Sequence, residues 1–168
     1  CYEADIRFVY RTLIDKNILG CINIEGEFIK NSFVNRIYNE PTITTAAVEH
    51  PKLTVLSIDI ETNLKADQIF SIAMAVKNYH KNKIIQYNLI VSKKPVQHAV
   101  HFEAEKEMLE AFVKKVQETD PDIITGWNVV DFDFKVLRDR CKYYKIPFLL
   151  GRTEEETKVR IEKEFLIV

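Results

Sequence analysis

From Leu53 onwards the apolar residues keep a period of two through three successive segments, then switch to the helical period. Residues 54–60 put Leu56, Ile58 and Ile60 on one side of an extended chain, and residues 68–76 and 84–91 read as two further strands. The polar spacers 63–67 and 78–82 suit tight turns, so the three strands form an antiparallel meander. Residues 103–118 then carry Met108, Leu109, Phe112 and Val116 as one helical stripe, ended by Asp120-Pro121. A short apolar strand follows at 122–127. A second helix, 133–145, has Phe134, Leu137, Cys141 and Tyr144 at helical spacing and Pro147 as its stop. The order is β-β-β-α-β-α. It predicts an α/β class with a mixed sheet, because a strand reached through a helical crossover lies parallel to its sheet neighbour.

Residues 1–50 are a small β-rich segment. Ile22-Asn23-Ile24-Glu25 alternates, Gly26 allows a turn before Phe28, and Glu40-Pro41 and His50-Pro51 punctuate the exit. The chain is therefore read as two parts, 1–50 and 51–168. Its 168 residues, 46% hydrophobic and 29% charged, suffice for one domain with a core plus a short flanking module. No apolar run approaches the roughly 20 residues that span a bilayer, so no membrane partner is expected. Cys1-Tyr2-Glu3-Ala4-Asp5 lacks the shape of a signal peptide. Cys1, Cys21 and Cys141 are scattered and read as free thiols in a reducing compartment. A net charge of −1 gives no whole-molecule basic field, which argues against a protein that coats nucleic acid non-specifically. The chain opens on Cys1 and stops on Phe165-Leu166-Ile167-Val168, read as a strand whose partners lie further on. The whole is read as an excerpt of a longer protein.

Asp59 and Glu61 stand two residues apart on one strand, so both leave the face opposite Leu56, Ile58 and Ile60. Such a pair can ligate hard cations such as Mg²⁺ or Mn²⁺. It equally suits the solvated face of an edge strand. Asp133 sits at the start of the second helix, where an acid also serves to satisfy free N–H groups. With 122–127 parallel beside 54–60, the C-terminal ends of both strands meet, and Asp59, Glu61 and Asp133 converge there. Clustered carboxylates repel, and bound divalent cations relieve the repulsion. Two cations about 3.5–4 Å apart would stabilise both the attacking and the leaving oxygen of a phosphodiester. Other features are plainer. His98 and His101 have a ligand-like gap without a framing cluster, and read as loop residues. Arg138, Arg140, Lys142, Lys145 and Arg152 read as a solvated basic face rather than a DNA track.

Ser57-Ile58-Asp59-Ile60-Glu61-Thr62 resembles the first exonuclease motif of the family B DNA polymerases. Asp120-Pro121-Asp122-Ile123-Ile124-Thr125-Gly126-Trp127-Asn128-Val129-Val130-Asp131-Phe132-Asp133 resembles their second. Tyr2-Glu3-Ala4-Asp5-Ile6-Arg7, Arg11, Leu13 and Leu149-Leu150-Gly151-Arg152 extend the similarity, which is strongest to the bacterial polymerase II branch and covers about residues 2–152. The resemblance implies a ribonuclease H-like fold, an order that β-β-β-α-β-α also matches by analogy. It implies that 1–50 is part of the polymerase N-terminal domain and 51–168 a 3′→5′ proofreading exonuclease domain. Asp59, Glu61 and Asp133 would be catalytic metal ligands for two divalent cations, Mg²⁺ or Mn²⁺. Thr62, Asn128 and Phe132 would hold the single-stranded 3′ end of a DNA primer. The resemblance further implies a cytoplasmic, nucleoid-associated protein, and leaves room for a sliding clamp held by parts outside this chain. The family's third motif, a Tyr-x-x-x-Asp, is missing: no Asp follows Asp139. It is expected beyond Val168, and the 168-residue chain is expected to have little or no nuclease activity. Two other readings remain: a stand-alone exonuclease of the same four-acid superfamily, and a non-catalytic ribonuclease H-like interaction module.

Overall fold

The computed structural model describes residues 5–159, which fall into two compact units divided after Pro51. The segments Tyr2-Glu3-Ala4 and Phe165-Leu166-Ile167-Val168, singled out above, lie outside the described residues, as does Cys1.

The first unit opens with a helix absent from the sequence reading, α1 (Phe8–Asp15), braced by an Arg11–Asp15 pair one turn apart. Strand β1 (Ile22–Glu25) comes where alternation predicted it. After Gly26 the chain does not fold β1 onto β2 (Phe28–Ile29). Instead β2 pairs with β3 (Ile37–Tyr38), and β1 pairs with β4 (Thr42–Thr45), both antiparallel. A ring contact between Phe28 and Tyr38, with Arg36 over the Phe28 ring, fixes the inner pair.

The second unit is mixed α/β around a five-stranded mixed sheet. Strands β5 (Thr54–Thr62), β6 (Ile69–Asn78) and β7 (Lys83–Val91) form the antiparallel meander, with register Ile58↔Met74↔Tyr87. The turns work as their residues require. Ala66 and Asn82 take left-handed backbone, and the Asn63 and Asn78 side chains accept N–H groups from Asp67 and Lys81. A short strand that alternation did not reveal, β8 (Val100–Phe102), lies parallel to β7. It includes His101, which is therefore a strand residue and not a loop residue; His98 stays in the loop. Three residues are too few to display a period, and the connecting stretch 92–99 holds no helix to announce a crossover.

Helix α2 (Glu105–Thr119) buries Met108, Leu109, Phe112 and Val116 against the sheet, and left-handed Asp120 ends it. Strand β9 (Ile123–Thr125) then lies parallel to β5, giving the order β8-β7-β6-β5-β9. Its register is clamped at the start. The Thr54 N–H donates to the Asp122 carboxylate at 2.8 Å, and the Asp122 N–H donates to the Thr54 carbonyl at 2.8 Å. A wide π-helical turn (Val129–Asp133) runs into helix α3 (Phe134–Tyr143). The second helix thus begins one residue later than the sequence reading put it. Leu56, Ile58, Ile60, Ile72, Met74, Phe112 and Leu137 centre one continuous core. Among the described residues no helix is long and apolar enough to cross a membrane.

Candidate active site

Every second residue of β5 is spoken for by the core, so Asp59 and Glu61 are driven to the open face of the sheet, where both are exposed. A bulge between Glu61 and Thr62 ends the regular pairing. Beyond it the Thr62 hydroxyl donates to the Asn63 carbonyl at 3.0 Å. A shallow depression of about 220 Å³ lies over Ser57, Asp59, Ala73, Ala75, Gln86 and Asn88. Its floor is low because two of those side chains are alanine.

The second motif approaches from β9. Pairing with β5 ends at Ser57↔Thr125, and there Gly126 lets the chain run against the neighbouring backbone. A Cβ on Gly126 would lie 2.4 Å from the Ile58 carbonyl oxygen. Asn128 adopts left-handed backbone, with φ 57° and ψ 28°, and its carbonyl accepts the Phe132 N–H at 3.0 Å. This launches the π-helical turn and leaves Asn128, Val130 and Phe132 exposed.

The same turn carries Asp133 inward. Only 2% of Asp133 is exposed, and its Oδ2 is buried without a hydrogen-bond partner. Burial raises its carboxyl above the ordinary range, and the Asp59 charge raises it further; the N–H groups of Ile60 and of Asp133 itself pull the other way. Asp59 and Asp133, 74 positions apart in sequence by number, therefore act on one another. Glu61 shares the exposed strand face of Asp59. Among the described residues no three His, Cys, Asp or Glu gather closely enough to hold an ion. Burial and the Asp59 charge both disfavour the ionised form of Asp133. The donor set still suits a divalent cation: a buried carboxylate oxygen without a partner, within electrostatic reach of a second carboxylate, is what a hard cation satisfies.

One member of the predicted basic face, Arg140, is not solvated. Arg140 forms a two-point pair with Glu105, at 2.8 and 2.7 Å. Glu105, 5% exposed, also accepts the Ile69 N–H at 2.9 Å and the Tyr144 hydroxyl at 3.2 Å. This network ties the start of α2, the start of β6 and the last turn of α3 together. The sequence reading missed it because a helix-start Glu and a helix-end Arg look like ordinary dipole partners. Arg152 pairs with Asp120 and Asp122, at 2.6 and 3.0 Å, the latter being the residue that clamps β9.

Comparison with known proteins gives a consistent result. The profile of "DNA polymerase family B, exonuclease domain" matches residues 1–165. DNA polymerase II of Escherichia coli is 30% identical over 165 residues, covering 95% of this chain and 20% of that protein. A DNA polymerase of Archaeoglobus fulgidus is 35% identical over 161 residues, covering 89% of this chain and 18% of that protein. In fold, the chain is similar to the family B DNA polymerase from the hyperthermophilic archaeon Pyrobaculum calidifontis, with a TM-score of 0.57, 24% identity, and coverage of 87% and 19%. The chain spans about a fifth of the length of these relatives. Since the match runs through both acidic motifs and through the segment before them, the chain belongs to DNA polymerase family B, and to its exonuclease domain.

Proposed function

We propose that this chain is part of a family B DNA polymerase and supplies most of a ribonuclease H-like 3′→5′ exonuclease domain. That domain trims misincorporated nucleotides from single-stranded DNA 3′ ends. In this reading residues 1–50 belong to the polymerase N-terminal domain and 51–168 to the exonuclease. The observation that carries it is the buried Asp133 carboxylate, with one oxygen unpartnered, coupled to Asp59 across the β5–β9 edge.

Asp59, Glu61 and Asp133 would hold divalent cations, Mg²⁺ or Mn²⁺, which when bound supply positive charge to the attacking and leaving oxygens of the phosphodiester. Asp133 is the fixed member, sunk in the core and oriented by the Ile60 N–H. Asp59 and Glu61 are the accessible members, presented by a strand that the core locks from behind. Phe132 and Asn128 would receive the 3′-terminal nucleotide, being exposed on a turn whose backbone is fixed by their mutual hydrogen bond. The Thr62 oxygen keeps lone pairs free to accept from a terminal sugar hydroxyl.

Two experiments test this. In the parent polymerase, Asp59→Ala with Glu61→Ala should abolish trimming of a labelled single-stranded primer and leave nucleotide incorporation unchanged. Trimming that persists would sink the assignment. The 168-residue chain, lacking a Tyr-x-x-x-Asp, should bind Mn²⁺ in a titration followed by electron paramagnetic resonance, lose that binding in Asp133→Asn, and show no 3′ trimming.

A further inference from the structure

Between Asp67 and Glu103 the sequence holds five lysines, three histidines and no acid. The stretch carries a formal charge of +5 in a chain whose total is −1. Among the described residues none of Lys77, Lys81, Lys83, Lys93 and Lys94 forms an ion pair. The lysines of α2 and the arginines of α3, by contrast, all face carboxylates. Three of the five unpaired lysines belong to the β6–β7 hairpin. Lys77 leaves β6 on the open face of the sheet, level with Val55 and Ile84. Its Nζ donates to the Asn82 Oδ1 at 2.9 Å and lies 5.4 Å from the centre of the Tyr79 ring. Lys81 stands on the exposed tip, and Tyr79 and Ile84 are exposed beside it.

The depression beside Asp59 runs towards this hairpin. Its lining steps from the level of Asp59, Ala73 and Asn88 to that of Ser57, Ala75 and Gln86, and the next level is Val55, Lys77 and Ile84. From Ala73 to Lys77 the strand advances about 14 Å. That exceeds the roughly 8–10 Å over which exposed charges act in salt, so Asp59 and Glu61 leave the positive charge of the hairpin in force. The core cluster of α2 and α3 occupies the opposite side of the sheet, and Ser57, Ala73, Gln86 and Asn88 are exposed. We infer that this strip of open sheet, from Asp59 to the β6–β7 hairpin, takes the sugar–phosphate backbone of single-stranded DNA upstream of the reacting 3′ end, with Lys77 and Lys81 as phosphate contacts. Unpaired lysines gain most from a polyanion, because each phosphate they neutralise releases a condensed counterion. The amides of Gln86 and Asn88 and the Tyr79 ring add hydrogen bonds and stacking that do not depend on sequence. An acidic peptide would be repelled along its length by Asp59 and Glu61, whereas DNA is drawn there by the cations those carboxylates hold. The inference rests on the nucleic-acid reading of the acidic site and adds a surface outside both acidic motifs.

The 168-residue chain is titrated with a fluorescein-labelled oligothymidylate in Ca²⁺, following anisotropy at several salt concentrations, and separately with Mn²⁺ by electron paramagnetic resonance. Lys77→Gln with Lys81→Gln should weaken DNA binding by about five- to tenfold per lysine near 50 mM salt, and should lower the slope of log affinity against log salt by about 0.7 per lysine. Mn²⁺ binding and the thermal midpoint should not move. Lys77→Arg with Lys81→Arg should bind like the original chain, and so should Lys114→Gln, on the exposed side of α2. If the glutamine pair unfolds, Lys81→Gln alone makes the test, since Lys77 is the one that bonds within the hairpin. Unchanged affinity and slope in the glutamine variant, or an equal loss in Lys114→Gln, overturns the path and leaves the acidic site standing. Equal dependence of a blunt duplex on these lysines assigns the hairpin to double-stranded DNA and overturns the single-strand path. Mn²⁺ binding without any rise in anisotropy overturns it with the metal site intact; loss of both removes the site reading as well.

Discussion

Asp133 shows how a single residue's surroundings decide its chemistry. In sequence it is an acid at a helix start. In the fold it is buried, with its carboxyl raised by burial and by Asp59. The folded chain therefore holds a proton there more tightly than the unfolded chain does. The corresponding stability is fully present below the unfolded carboxyl pKa and is lost as pH rises through the elevated folded value. Asp133→Asn, measured in a chelator, should therefore stabilise the chain near neutral pH by about 1–3 kcal/mol, and the gain should vanish as pH falls through the carboxylate range. Urea midpoints from low to neutral pH check this; a gain that is flat with pH would mean that repacking, not charge, is responsible. Cys141 illustrates the same desolvation without function: burial, then Glu105 and Glu156, push its thiol up to about 12. It should stay unlabelled by iodoacetamide at pH 8 until the chain is unfolded, as peptide mass mapping would read.

At the scale of elements, two joints hold the site's parts in register. The first is Gly126. Alanine there would put a methyl 2.4 Å from a backbone oxygen that cannot retreat without breaking the β5 ladder. Gly126→Ala should cost about 2–3 kcal/mol in urea unfolding and weaken Mn²⁺ binding, because the Asp133 turn moves away from Asp59. The second is the Glu105–Arg140 pair, which also receives the Ile69 N–H and the Tyr144 hydroxyl. Removing one charge leaves the other buried and uncompensated. Glu105→Gln should cost about 3–5 kcal/mol, and a double-mutant cycle with Arg140→Met should show strong coupling. Simple additivity would argue that the two residues act independently.

For the whole molecule, the described residues divide after Pro51, in a stretch where residues 46–52 carry no regular structure. Lys52 is exposed and sits at the division. Brief trypsin treatment should cut there early and release a fragment beginning at Leu53 that still unfolds cooperatively, because the core cluster lies wholly beyond that point. Loss of cooperative unfolding after this cut would show that the first unit supports the second. The chain's near-neutral charge fits a site that concentrates binding in a few groups rather than in a broad basic surface.

The sequence alone determined the elements with enough residues to display a period. The three meander strands and the buried face of α2 follow from alternation and helical spacing, and the exposure of Asp59 and Glu61 follows from the burial of Leu56, Ile58 and Ile60. The parallel docking of β9 followed from the crossover rule. Short or aperiodic pieces escaped: β8, the π-helical turn, and the pairing of β1 with β4 across β2 and β3. Only the tertiary structure decided that Asp133 is buried within electrostatic reach of Asp59, that Arg140 answers Glu105, and that Trp127 stands in solvent. Each of these depends on a partner, or the lack of one, supplied by a distant stretch of chain. Periodicity records which way a side chain leaves its own element, but not what waits for it there.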